Sequence, residues 1–266
     1  MSMKFPMFQV DAFTSRQFGG NPAAVCLLDN WLEDSRLQAI AEENNLSETA
    51  FLVAHEEGFK LRWFTPVTEV ALCGHATLAS ALVVFDCLQW PADKITFQTR
   101  ESGALHVNRN NGLLEMDFPA STSAPVAAPV GLEEALGYAA NQVYQSGEDL
   151  MLRLADESQV RKVQAQMPQW AEWPYRGIIV TSEGDSCDFV SRFFAPRCGI
   201  VEDPVTGSAH CALTPYWSRE LNKSDLHARQ ISQRGGELFC RDQGDRVQIA
   251  GNAVLYLSGE ISISPD

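Results

Sequence analysis

Three titratable residues stand where the sequence predicts the entrance to a buried element. Glu48 lies in Asn44-Asn-Leu-Ser-Glu-Thr-Ala-Phe51, just before an apolar strand, and His75 follows Gly74 at the start of an apolar helix. Asp203 precedes a second helix of the same kind. Burial raises the pKa of a carboxyl group toward the range in which it can take and return a proton near neutral pH. These residues therefore predict acid–base chemistry, while each one alone also fits a structural role such as a cap or a turn.

Both helices begin at a glycine, which lets a ligand approach the N-terminal N–H groups closely. The first N–H groups of a helix have no partner within the helix, and the helix dipole places about half a positive charge there. Each N-terminus is therefore predicted to bind an anion, and a small carboxylate substrate fits if the two face one cleft. Ordinary N-capping is the alternative for either helix alone. The residues assigned to substrate binding are Gly74, Ala76, Gly207 and Ser208.

The position of His75 also predicts its charge. The positive end of a helix dipole disfavours imidazolium, so the ring is expected to be neutral. A neutral imidazole donates one hydrogen bond and accepts another, which suits it to contact the substrate or Asp203.

Other site chemistries lack the required spacing. Ser208 and His210 are two residues apart in a helix and do not share a face, so they form no triad with Asp203. Gly19-Gly-Asn21 matches neither a dinucleotide loop nor a Walker loop. The remaining candidates lack the signature of a thiol nucleophile or a zinc site; they are Cys73, His75, His210 and Cys211. No cofactor and no metal are predicted.

The composition of the chain narrows the class of partner. Its 266 residues include 20 basic and 34 acidic side chains, a net charge of −14, which disfavours nucleic acid and anionic membrane surfaces. The longest apolar run, Ala76–Phe85, is too short to span a membrane, and the first residues do not resemble a signal peptide. The seven cysteines include no C-x-x-C pair, which indicates reduced thiols. The chain is predicted to be soluble and cytoplasmic.

The elements that position these residues form an α+β pattern. Short alternating segments separated by turn signals such as Asn110-Asn-Gly112 predict antiparallel hairpins. Three helices are predicted, an amphipathic one over Asp34–Asn44 and two that are apolar on nearly all sides, over Ala76–Cys87 and Ser208–Leu221. Strand runs around two buried helices indicate an α+β fold and not an alternating parallel sheet.

A repeat divides the chain into two halves. Phe64-Thr-Pro66 leads into Cys73-Gly-His-Ala76, and Phe194-Ala-Pro196 leads into Thr206-Gly-Ser-Ala209, each followed by an apolar helix. The pattern predicts two pseudo-symmetric half-domains, although two unrelated strand–turn–helix units would also produce it. The proline-rich segment Ser121–Gly131 is typical of a linker. The predicted boundaries are 1–120, 121–131 and 132–266, with the last strands allowed to cross back.

Four separated motifs resemble the phenazine-biosynthesis PhzF-like isomerase family, in order and over nearly the whole chain. They are Val10-Asp-Ala-Phe13 with Phe18-Gly-Gly-Asn-Pro-Ala23, Leu46-Ser-Glu-Thr-Ala-Phe51, Cys73-Gly-His-Ala-Thr77 and Glu202-Asp-Pro-Val-Thr-Gly-Ser-Ala209. The region Ala120–Trp173 carries no such motif. The resemblance implies the diaminopimelate epimerase-like fold, in which two halves each wrap a β-barrel-like sheet round a central helix and the site lies between them.

The resemblance also implies residue roles. Glu48 would shuttle the proton, with His75 and Asp203 as its polar partners in the cleft. The family's prototype isomerises a dihydro-hydroxyanthranilate without metal or organic cofactor. The related epimerases use two cysteines; Cys73 stands at the first of those positions and Thr206 at the second, which favours a single carboxylate shuttle over two thiols.

The predicted function is therefore a cofactor-independent isomerase that moves a proton between carbons of a small carboxylate, either amino-acid-like or dihydro-hydroxyanthranilate-like. Two alternatives stay open: a binding protein that kept the fold and lost turnover, and an amino-acid epimerase. A symmetric dimer is expected because the uncharged strand Ala253–Leu257 would otherwise leave an apolar edge, unless that strand lies inside its own sheet.

Overall fold

The computed structural model describes residues 2–56 and 58–264. They form two compact units, the first made of residues 2–117 and 250–264 and the second of residues 118–249. Residues 121–131, which the sequence suggested as a linker, belong to the second unit, and the C-terminal strand returns to the first.

Strands dominate both units. In chain order the first strands are β1 (Met3–Ala12), β2 (Asn21–Leu28), β3 (Glu48–His55), β4 (Gly58–Phe64), β5 (Glu69–Val70), β6 (Lys94–Thr99), β7 (Ala104–Asn110) and β8 (Leu113–Pro119). They are followed by β9 (Ser123–Pro125), β10 (Gln142–Ser146), β11 (Asp149–Arg153), β12 (Gly177–Glu183), β13 (Phe189–Ala195), β14 (Ile200–Asp203), β15 (Asp225–Gln230), β16 (Gly236–Asp242), β17 (Arg246–Gly251) and β18 (Ala253–Ile263).

The helices include the three that the sequence predicted. They are α1 (Asp34–Asn44), α2 (Gly74–Leu82, continued by a π-helical turn over Val83–Cys87), α3 (Leu132–Leu136), α4 (Glu157–Lys162), α5 (Met167–Trp170) and α6 (Gly207–Leu221), with a 3₁₀ turn over Pro196–Cys198. The predicted ends of α1 are confirmed, whereas α2 and α6 begin two residues and one residue earlier than predicted. The short helices α3, α4 and α5 were not predicted because each has too few residues for a helical periodicity to be recognised in the sequence.

The first unit wraps one sheet around α2. Its strand order is β18-β1-β2-β3-β4-β6-β7-β8, antiparallel except for the pairs β2–β3 and β4–β6. A parallel pair needs a crossover connection, and α1 and α2 lie in these two connections. Helix α2 packs against β1, β2, β3 and β18, and its residues are buried from His75 onward. The two hydroxyls in its apolar face, Thr77 and Ser80, donate to helix carbonyls one turn back.

The second unit repeats this plan. Its strand order is β9-β10-β11-β12-β13-β15-β16, with parallel pairs β11–β12 and β13–β15. Helices α4 and α5 occupy the first crossover and α6 the second, where α6 packs against β15 and β16. The predicted α+β class and the predicted repeat are therefore confirmed as two similar units, each a sheet around a buried helix.

The dimer was predicted because the strand Ala253–Leu257 would otherwise leave an apolar edge, and this segment lies in the C-terminal strand β18. β18 pairs with β1 from Ala253, opposite Ala12, to Ile263, opposite Met3. The uncharged strand Ala253–Leu257 is therefore hydrogen-bonded along this side within its own unit. No helix in the described ranges 2–56 and 58–264 is long and apolar enough to span a membrane.

Helix α6 carries a fully buried histidine that makes the second unit sensitive to acid. His210 donates from Nδ1 to the carbonyl of Thr206 over 2.8 Å and lies against the ring of Phe189. Burial lowers the pKa of His210 to about 4. Because the pKa of His210 is lower in the folded protein than the ordinary value of 6.5, the unfolded chain binds the proton more readily. The folded state therefore loses stability as the pH falls from 6.5 toward 4.

We therefore expect the free energy of unfolding to fall with acid more steeply in the wild type than in His210→Gln. The difference accumulates to about 3 kcal/mol between the unfolded and folded pKa values, because each pKa unit corresponds to about 1.4 kcal/mol. Urea unfolding of both proteins across this pH range measures it. Parallel curves for the two proteins would show that His210 does not titrate in this way.

Candidate active site

Glu48 and His75 meet in the first unit. Glu48 is the first residue of β3, where the parallel register with β2 sets it opposite Ala23. His75 is the second residue of α2, which packs on both strands. The carboxylate Oε2 of Glu48 lies 3.0 Å from Nε2 of His75. The structure thus brings together two of the three residues to which the sequence assigned proton chemistry.

The other nitrogen of His75 faces two further side chains. Nδ1 lies 3.3 Å from the amide nitrogen of Asn21 and 3.5 Å from the Sγ of Cys73. The hydroxyl of Ser47 donates to the Oδ1 of Asn21 over 3.0 Å, so the amide is itself held in place. The ring is therefore fixed between Glu48 on one side and Asn21 and Cys73 on the other.

The facing atoms of Glu48 and His75 have no other polar contact. Oε2 and Nε2 are both buried and form an ion pair over 3.0 Å, and neither has a hydrogen bond to any other described residue. A buried polar group left without such a partner costs about 1–3 kcal/mol, so proteins rarely leave one without a reason. Two such atoms at one point indicate a place where a ligand supplies the missing polar contact.

The charge of His75 differs from the prediction. Burial lowers the pKa of His75, but the Glu48 carboxylate beside the ring raises it by more, and the pKa lies well above its usual value. The prediction of a neutral imidazole is wrong because it considered the helix dipole and left out this acidic neighbour. Burial and the Glu48 carboxylate raise the pKa of Cys73, which favours the thiol at neutral pH.

Asp203 belongs to a separate cluster in the second unit. It ends β14, and its Oδ2 accepts from the hydroxyl of Thr206 over 2.5 Å, just before α6 begins at Gly207. The buried amide of Gln230 accepts from the Thr206 N–H over 2.9 Å and donates to the Asp203 carbonyl over 2.7 Å. Gln230 therefore fixes the turn that presents Asp203 and the N-terminus of α6.

Arg176 stands beside the N-terminus of α6. Its guanidinium donates to both carboxylate oxygens of Asp149, from Nε over 2.9 Å and from Nη2 over 2.5 Å, and Nη2 lies 3.3 Å from the Ser208 hydroxyl. A Cβ on the next residue, Gly177, would lie 2.2 Å from Phe193 and 2.9 Å from the same aspartate, so only glycine fits there. These contacts hold the guanidinium rigidly next to Ser208.

The strand registers show which residues correspond in the two units. Thr49 is opposite Phe64 and Ile178 is opposite Phe194, and both phenylalanines begin the repeated Phe-x-Pro sequence. The residues preceding Thr49 and Ile178 therefore correspond, so that Gly177 stands at the position of Glu48. Arg176 stands at the position of Ser47 by the same alignment.

Glu48, Cys73 and His75 also form a group of metal-ligand types. One donor atom from each lies within 4.8 Å of the other two, and Cys73 and His75 are buried. Among residues 2–56 and 58–264, this is the one group of three such donors close enough to hold a metal ion. Cys73 and His75 were candidate ligands from the sequence, whereas Glu48 is distant from them in the chain and joins them only in the fold.

The fold and these residues define a class of proteins with the epimerase-like fold. The structure superimposes on a hydroxyproline epimerase from Agrobacterium vitis with a TM-score of 0.63, covering 97% of this chain and 92% of that chain. The two sequences are 10% identical, so this similarity shows the fold alone. Residues 10–259 match the family model described as phenazine biosynthesis-like protein. The chain belongs to that family.

Relatives at higher identity support the assignment. An uncharacterized isomerase of Pseudomonas aeruginosa is 53% identical over 98% of this chain and its own full length. The crystal structure of a PhzF-family phenazine biosynthesis protein from Enterococcus faecalis has a TM-score of 0.94 and 44% identity, covering 97% of this chain and 99% of that chain. The predicted family and fold are confirmed, and the relatives' names place the chain among isomerases at the level of the family.

The predicted site residues are distributed over both units. Gly74 and Ala76 lie in the first turn of α2 beside His75, whereas Gly207 and Ser208 open α6. Sequence reasoning missed four residues that contact these positions, because an asparagine, a glutamine or an ion pair carries no spacing signal; they are Asn21, Gln230, Asp149 and Arg176. The roles of the predicted residues stay predictions.

We expect Gln230→Met to destabilise the second unit by about 1–3 kcal/mol, because it leaves the buried Thr206 N–H and the Asp203 carbonyl without their partner. Urea unfolding measures the loss. Gln98→Met is the matched control, since Gln98 is exposed on β6 and its replacement should change the free energy of unfolding by less than about 0.5 kcal/mol. Equal effects of the two substitutions would contradict the role given to Gln230.

Proposed function

We propose that this protein is an isomerase that moves a proton between carbons of a small carboxylate, with Glu48 as the acid–base group. The observation that carries the proposal is the buried contact between Glu48 and His75, whose facing atoms have no hydrogen-bond partner among the described residues. The naming of its relatives as isomerases supports the reaction class.

The chemistry needs one proton and no change of oxidation state. The carboxylate of Glu48 takes a proton from a carbon of the substrate, and the electron pair of that C–H bond shifts into the adjoining unsaturated system. The same group then returns the proton to a different carbon, where the new C–H bond forms. The raised pKa of His75 favours a cation beside Glu48, which stabilises the carboxylate and any negative charge that develops on the substrate.

The comparison of the two units favours one acid–base group over two. Gly177 stands at the position of Glu48, and Thr206 stands at the position of Cys73 in the repeat. The second unit thus carries neither a carboxylate nor a thiol at the positions corresponding to those of the first. An amino-acid epimerase that uses a base on each face of its carbon would need a second group of this kind.

The substrate is proposed to be a carboxylate because of the groups around the helix N-termini. Helices α2 and α6 present their first N–H groups at Gly74–Ala76 and at Gly207–Ser208, and such groups bind anions. Arg176, held by Asp149 beside Ser208, adds a fixed positive charge. Asp203 is proposed as a polar partner of the substrate, as the family resemblance implies.

A binding protein without turnover is the alternative class. A pure binder has no need of a carboxylate paired with a histidine at a buried point without other polar contacts, since burying the two groups costs stability. The Glu48–His75 contact therefore favours the enzyme.

We expect Glu48→Gln to lower kcat by about 10²–10⁴-fold, the usual contribution of a general acid–base group, while leaving the fold and substrate binding intact. Isomerisation followed by NMR, with calorimetry for binding, measures both. Glu43→Gln is the matched control, because Glu43 is exposed on α1. A Glu48→Gln protein that keeps more than about a tenth of the wild-type kcat would contradict the assignment.

We expect Arg176→Gln to raise KM by about 10–100-fold with a smaller change in kcat, because a charge-assisted hydrogen bond contributes about 1.5–3 kcal/mol. Arg176→Lys keeps the charge beside Asp149 and should recover part of the binding. Steady-state kinetics on variants with wild-type circular dichroism measures this. An unchanged KM in Arg176→Gln would remove Arg176 from the substrate site.

A further inference from the structure

The buried thiol of Cys73 has no part in the proposed proton transfer, yet it lies in the same cluster. Its Sγ is 3.5 Å from Nδ1 of His75, and the residue precedes the first turn of α2. Helix α2 places Cys73 and His75 on one side, and β3 places Glu48 on the other. The cluster therefore contains a thiol, an imidazole and a carboxylate, which are the side chains that bind zinc in proteins.

The separations of these groups suit a single metal ion. Tetrahedral zinc, with ligand distances of about 2.0–2.3 Å, sets its donor atoms about 3.3–3.7 Å apart. Nε2 of His75 and Oε2 of Glu48 are 3.0 Å apart, and one donor atom of each residue lies within 4.8 Å of the other two. The thiol, whose Sγ lies 3.5 Å from Nδ1, has to turn toward Nε2 to complete the set.

The unpartnered atoms are an independent indication that a ligand can enter. Nε2 of His75 and Oε2 of Glu48 are buried and face each other without a hydrogen bond, and His75 is 5% exposed. A cation coordinated by both atoms would satisfy them together. Asn21 and Cys73 both contact the opposite ring nitrogen, Nδ1. The ring can therefore coordinate through Nε2 while the amide continues to orient it, once the thiol has turned from Nδ1 toward the ion.

The charges also balance. The positive end of α2 opposes the binding of a cation, so neutral donors alone would not suffice. The Glu48 carboxylate and a Cys73 thiolate together supply two negative charges, which match a divalent ion. Binding releases two protons to solvent, the thiol proton as the sulfur–metal bond forms and the Nε2 proton of the His75 imidazolium as the nitrogen–metal bond forms. Because sulfur and imidazole donors favour zinc over magnesium and calcium, the donor set selects a borderline-soft ion.

We propose that Glu48, Cys73 and His75 form a three-ligand binding site for Zn²⁺, with a fourth position left for water, and that the bound ion inhibits the enzyme. The ion would coordinate the carboxylate that takes the proton and so block the reaction. Binding of the metal stands on the geometry alone, whereas the inhibition rests on the proposed function. The ion is an inhibitor here and not a participant in the reaction.

The test is a titration of the metal-free full-length protein with Co²⁺, followed by displacement with Zn²⁺. We expect one Co²⁺ per chain with a sulfur-to-cobalt charge-transfer band, which reports the thiolate ligand directly. Cys73→Ala should lose this band and bind Zn²⁺ at least about tenfold more weakly in calorimetry. Cys26→Ala is the matched control, since Cys26 is an equally buried thiol on β2, and should keep both.

Two results would overturn the binding site: no stoichiometric cobalt band in the wild type, or a band that survives Cys73→Ala. Activity then separates this proposal from the assignment of Glu48. Turnover that persists in the zinc-saturated protein would overturn the inhibition. If no metal binds while Glu48→Gln still abolishes turnover, the metal site is refuted and the proposed function stands.

Discussion

The contact between the Glu48 carboxylate and the His75 imidazole is the constraint on which the candidate site depends. Placing two ionisable groups in a buried position is costly unless each stabilises the other. The parallel register of β2 and β3, with α2 packed against both strands, places the two groups together. The buried helix is itself a condition for this contact. Its small and apolar residues let the strands pack closely around it, while Asn21 fixes the ring from the far side.

The two units show how one plan supports unequal chemistry. The strand registers equate Glu48 with Gly177, and the repeat equates Cys73 with Thr206, so the second unit has the architecture of the first without its acid–base groups. It carries instead Arg176, which the buried Asp149 holds beside Ser208 in the first turn of α6. This asymmetry favours a division of roles, in which the first unit transfers the proton and the N-termini of both α2 and α6 bind the anion.

Much of this was accessible from the sequence, for identifiable reasons. Strand runs around two helices that are apolar on nearly all sides predicted the α+β class, and the repeated Phe-x-Pro and glycine pattern predicted the two halves. Four separated motifs, two of which contain Glu48 and His75, indicated the family. The predicted charge of His75 was wrong because the pKa of its ring depends on a carboxylate, Glu48, that is distant in the chain. Asn21 and Gln230 were missed for the same reason, since a side-chain amide becomes informative only when its partners are known.

The central claim is that one carboxylate moves one proton between two carbons. Incubation of the wild-type protein in D₂O with a panel of small cyclic and acyclic carboxylates, followed by NMR and mass spectrometry, tests it most directly. The account predicts a product isomer with its double bond or proton relocated and with partial transfer of the original proton, because a single shielded group carries it. Deuterium entering only at the original carbon, with inversion of its configuration, would contradict the account and indicate a two-base epimerase.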